Sequence, residues 1–64
     1  MKARQLLATL LRAGWSVAHT KGSHRKLEYP DRACIEFAFH DGEESGPRMV
    51  ARIAKAAGLR REDL

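Results

Sequence analysis

The residues best suited to chemistry are the six consecutive positions Lys21-Gly22-Ser23-His24-Arg25-Lys26, where a histidine stands beside a glycine turn with three cations within three residues of it. Backbone N–H groups of such a turn can cradle a phosphate, and the cations steer a phosphate-bearing strand toward it. Imidazole takes or gives protons near neutral pH. RNA carries its own nucleophile, the ribose 2′-hydroxyl, so one general base or acid plus positive charge is enough for strand scission without a metal. On spacing alone, the plainer reading of His24 is a polar turn residue.

Other chemistry-bearing residues carry weaker signals. His40-Asp41 with Glu43 and Glu44 offers metal-capable groups in consecutive loop positions, with no second cluster spaced to close a coordination shell, so no metal site is expected. Ser23 next to His24 is not a triad, because neighbours on a strand point to opposite faces. His19 reads as a structural or edge residue ending the first strand. Trp15, Tyr29, Phe37 and Phe39 alternate with polar residues in the manner of a core rather than of a base-stacking platform. Cys34 reads as an inert small residue on an outer face. Arg48, Arg52 and Lys55 share one side of a helix, either as a solvated face or as phosphate contacts.

The elements that must position these groups are few. At 64 residues the chain is expected to form one domain over 1–64, and such a small chain buries only about 60% of its unfolded surface. Twelve Lys+Arg against eight Asp+Glu give a net charge of +4, which suits a phosphate-bearing partner or simply favours solubility. A single cysteine excludes an internal disulfide, and no apolar run approaches the ~20 residues of a membrane span, which together suggest a reducing, cytoplasmic setting.

Leu6, Leu7, Leu10 and Leu11 recur at helical spacing from Ala3, and Gly14 is placed to end that helix. From Trp15 the period becomes two, with Trp15 and Val17 on one side and Ser16, Ala18 and Thr20 on the other. A turn at Lys21, Gly22 and Ser23 leads to a second strand that ends at Pro30-Asp31, and Ile35, Phe37 and Phe39 mark a third. After a polar loop over 41–46, Pro47 opens a second helix carrying Met49, Val50, Ile53, Ala54 and Ala57, capped by Gly58 with Leu59 folding back. The expected fold is α+β, ordered α-β-β-β-α, a three-stranded antiparallel sheet with both helices on one face. A Pro30–Arg32 loop sets Leu27 opposite Ile35, Lys26 opposite Glu36 and His24 opposite Ala38, with His40 diagonal to His24 on the open face.

The leucine-rich helix ending Gly14-Trp15, the Lys21-Gly22-Ser23-His24-Arg25 element, the Tyr29-Pro30-Asp31 turn, Phe39-His40 and the closing Ala56-Ala57-Gly58-Leu59 resemble the HicA toxin family over nearly the whole chain. The resemblance implies a double-stranded-RNA-binding-like fold and a ribosome-independent mRNA interferase with His24 as its catalytic group, held inactive by a HicB-type antitoxin. It implies no cofactor. Family members often open the last helix with Gly-Thr-Leu, where this chain has Gly46-Pro47-Arg48. In the expected site Lys21, Gly22, Ser23, Arg25 and Lys26 bind RNA, and His40 assists as a second proton donor or a phosphate contact. A noncatalytic RNA-binding module and a partner-binding protein whose open sheet face exists to be covered are the other readings.

Overall fold

In the computed structural model, which describes residues 1–40 and 42–64 apart from the side chain of Arg61, the elements run α1 Ala3–Arg12, β1 Ser16–Lys21, β2 His24–Glu28, β3 Ile35–Ala38 and α2 Pro47–Ala57, with a short 3-10 turn at Arg61–Asp63. Asp41, the first residue of the expected loop, lies outside the described residues. The expected α-β-β-β-α order holds, and the strands form one antiparallel sheet in the order β1-β2-β3.

The leucine repeat makes α1 amphipathic, but only Leu6 and Leu10 are fully buried, while Leu7 is half-buried and Leu11 faces solvent. Thr9 is buried instead, and its Oγ1 donates to the Gln5 carbonyl at 2.8 Å, so the helix itself satisfies the hydroxyl. Both helices end in the same way. The N–H of Trp15 donates to the Leu10 carbonyl and that of Leu59 to the Ala54 carbonyl, each past a left-handed glycine, Gly14 (φ 106°) and Gly58 (φ 72°). At Gly14 a β-carbon would sit 2.8 Å from Tyr29 Cε2, so both the backbone angle and the space demand glycine.

The β2–β3 connection is a turn closed by the Arg32 N–H donating to the Tyr29 carbonyl, with Pro30 first and Asp31 at φ 63° second, as in a type II turn. The register follows from it as expected, with Leu27 opposite Ile35, Lys26 opposite Glu36 and His24 opposite Ala38. Leu27, Ile35 and Phe37 are thereby turned to one face, where they join Trp15, Leu6, Leu10, Ile53 and Ala57 in a single buried cluster. Burying each such side chain is worth about 1.5–3 kcal/mol, the main support for a chain this short. Among the described residues no helix covers the other face of the sheet, and His19, Lys21, His24, Lys26 and Glu36 on it are exposed.

Two features were not legible in the pattern. Regular alternation along β1 puts His19 and Lys21 on the helix side with Val17, but the pairing slips between Val17 and His19. Val17 faces Leu27, His19 faces Lys26, Thr20 faces Arg25 and Lys21 faces His24, leaving Ala18 as the extra residue of a bulge. The second is a bridge between Lys2 and Glu44: the Ala3 N–H donates to the Glu43 carbonyl at 3.0 Å and the Ser45 N–H to the Met1 carbonyl at 2.8 Å, tying together the approaches to the two helices. Among the described residues no helix is long and apolar enough to cross a membrane.

Candidate functional site

A two-residue hairpin turn, Gly22-Ser23, joins β1 to β2. Positive φ is confined to the first turn residue (Gly22, 58°), the signature of a type II′ turn, whose twist suits the flanking strands. The turn is held from the helix side. Arg25 donates from Nη1 to the Gly22 carbonyl at 2.8 Å and its guanidinium lies 4.9 Å from the centre of the Phe39 ring. The Phe39 N–H donates to the Ser23 carbonyl, which continues the β3 pairing alongside the turn.

This arrangement divides the expected site residues by face. His24 and Lys26, two apart on β2, share the open face with Lys21, while Arg25, opposite Thr20 and Phe37, falls on the helix face with its guanidinium engaged. A one-residue offset on a strand sends a side chain to the other face, so the register separates Arg25 from the outer cations, although it is still among the residues that line the depression around His24. His40 is exposed beyond the end of β3, and its carbonyl accepts from the Glu43 N–H. It lines a shallow depression with Glu43, Glu44 and Ser45, separate from the one that holds His24.

The depression on the open face is lined by His19, Lys21, His24, Arg25, Lys26 and Glu36, and has a volume of about 220 Å³. That is smaller than the ~300–1,000 Å³ of ordinary small-molecule pockets, and suits a phosphodiester lying on a surface better than an enclosed ligand. His19 is the member that the strand pattern placed elsewhere. The bulge at Ala18 brings it here, and no residue type in Ser16-Val17-Ala18-His19 signals that bulge. A larger hollow, about 660 Å³, lies between Met1, the 44–47 segment, Val50, Ala51, Ala54 and Leu64, and is mostly apolar and without histidine.

The aromatic residues fall as their pattern suggests. Trp15 and Phe37 are buried, Tyr29 and Phe39 pack against the core, and the Trp15 and Tyr29 rings lie 5.3 Å apart. Cys34 is a free, exposed thiol. Arg48, Arg52 and Lys55 are exposed on α2, where Arg52 donates to the Glu36 carbonyl at 3.4 Å. Among the described residues no cluster of three or more His, Cys, Asp or Glu could hold a metal ion.

Fold and surface together define a small α+β domain whose helices fill one side of a meander and whose other side presents histidines among lysines. The family model for "HicA toxin of bacterial toxin-antitoxin" matches residues 3–59, and the chain belongs to that family. It is a toxin of a toxin–antitoxin system. No curated protein and no solved structure gave a match.

Proposed function

We propose that this toxin is a metal-independent endoribonuclease that cleaves mRNA, with His24 as the group that moves a proton at the scissile phosphate. The observation that supports this most is the exposure of His24 on an uncovered sheet face, beside Lys21 and Lys26 and next to a rigidly held glycine turn. Lys21 and Lys26 hold phosphates by charge. Gly22 and Ser23 let the strand approach the backbone closely. Arg25 acts by fixing the turn, through Gly22 and Phe39, and His40 contacts the substrate outside the central depression. The attacking 2′-hydroxyl lies within reach of the His24 imidazole, which accepts its proton, and the nucleophile then belongs to the RNA itself.

Purified toxin incubated with mRNA in EDTA should cleave it, and His24→Ala should lower the rate by about 10²- to 10⁴-fold with RNA affinity largely kept. Normal cleavage by His24→Ala would remove the catalytic assignment, and no cleavage by the native protein, with binding intact, would favour an RNA-binding module. A ribonuclease acting on cytoplasmic mRNA needs a mask. A HicB-type antitoxin covering the open face is the partner proposed, reaching a +4 toxin with acidic groups near Lys21.

A further inference from the structure

We propose that His19 is the proton donor of this site, giving a proton to the departing 5′-oxygen while His24 takes one from the 2′-hydroxyl. The proposal rests on the ribonuclease reading of His24 given above and adds a residue to it. Its starting point is the bulge. His19 faces Lys26 and Lys21 faces His24 across the β1–β2 pair, so the four side chains form a square on the open face with the histidines on one diagonal and the lysines on the other. Diagonal neighbours in an antiparallel pair have alpha carbons roughly 7–8 Å apart, which leaves room for one phosphate between two imidazoles.

Displacement at phosphorus places the entering and leaving oxygens roughly in line on opposite sides of it. An imidazole bonded to the 2′-hydroxyl is therefore badly placed to serve the leaving oxygen in the same step, and a second proton-bearing group across the phosphate speeds its departure. The square supplies one. The lysines on the crossing diagonal face the nonbridging oxygens, and an ammonium holds its proton more tightly than an imidazolium does, so they suit charge stabilisation better than proton donation. Of the other two charged residues that line the depression, Arg25 carries a guanidinium that keeps its proton in proteins, and Glu36, beyond Lys26 on β3, is an acceptor when ionised. In the step, the 2′-oxygen–phosphorus bond forms as the phosphorus–5′-oxygen bond breaks. The 2′-hydroxyl proton passes to His24, and a proton from His19 passes to the 5′-oxygen. The products are a 2′,3′-cyclic phosphate and a 5′-hydroxyl, and exchange with water restores the two histidines.

The test compares two substrates: an RNA, and a ribonucleoside 3′-(4-nitrophenyl phosphate), whose phenolate leaves without needing a proton. His19→Ala and His19→Gln, with native circular dichroism, should lose about 10²- to 10⁴-fold in kcat/KM on RNA and change little on the nitrophenyl ester. Their pH–rate profile on RNA should lose the fall on the alkaline side that reports a required acid. His24→Ala should be impaired on both substrates. If the His19 variants cleave RNA like the native toxin, or lose both substrates equally, His19 is not the donor, and the role of His24 stands on its own results. If His24→Ala is fully active on both, the reading beneath the proposal is what has failed.

Discussion

Replacing Lys21 and Lys26 by alanine should change the salt dependence of RNA binding, and replacing Arg25 should not. The contrast follows from the register: the two lysines share the open face with His24, while Arg25 faces Thr20 and Phe37 on the helix side and donates to the Gly22 carbonyl. Each phosphate contact to single-stranded nucleic acid adds about 0.7 to the slope of log affinity against log salt, so the lysines together account for about 1.4. Between ~50 and ~200 mM salt, a fourfold range, one contact corresponds to about 2.6-fold in affinity and two to about sevenfold. Arg25→Ala should leave the slope alone and instead lower stability by about 1 kcal/mol, from a lost hydrogen bond and cation–ring contact. In a domain of this size that is a fall in Tm of about 4–8 °C. The assay is fluorescence anisotropy of a labelled RNA titrated with toxin at several salt concentrations. The proteins carry His24→Gln so that the strand stays intact. An Arg25→Ala slope reduced as much as that of Lys21→Ala, or lysine variants with the native slope, would refute the division of cations by face.

Three further outcomes can be stated. Gly14→Ala forces a side chain into a φ of 106° and against the Tyr29 ring, and should cost about 1–3 kcal/mol, read as a large drop in Tm. The Glu44 carboxyl is held below its ordinary range, chiefly by the hydrogen bond from the Met1 amino group. A depressed folded-state pKa contributes stability above the ordinary glutamate range that is lost as the pH falls through the folded value, so the protection factors of the Ala3 and Ser45 amides, corrected for the intrinsic pH dependence of exchange, should fall in acid and do so less in Glu44→Gln. In a complex with the antitoxin, His24 should be protected from diethyl pyrocarbonate relative to the free toxin, and unchanged reactivity would mean that the antitoxin acts away from the open face.

Element order, strand register and core were readable from the residues because each rests on a strong local rule. The Pro30-Asp31 turn fixes Leu27 opposite Ile35, and one correct pair sets the others between β2 and β3. Glycines at 14 and 58 mark both helix ends, since the left-handed angle there is costly for other residues. His24 stands out in the sequence because a turn glycine and neighbouring cations surround it, and the fold leaves it exposed on the open face. What escaped was every feature that depends on a departure from periodicity. The bulge at Ala18 reverses the faces of His19, Thr20 and Lys21, so the partner histidine in the depression is His19 and not His40. Arg25 is one residue from His24 in the chain and on the opposite face in the fold, a distinction that a count of nearby cations cannot make.

The central claim, that His24 on the open face lets the RNA's own 2′-hydroxyl cut the strand, is tested most directly by the chemistry of the product ends. Native toxin and His24→Ala are incubated with a defined RNA in EDTA and the fragments weighed by mass spectrometry. The native toxin should give fragments ending in a 2′,3′-cyclic phosphate or its hydrolysed monophosphate, paired with 5′-hydroxyl ends, and the variant almost none. Fragments with 5′-phosphate ends, or equal cleavage by both proteins, would contradict it.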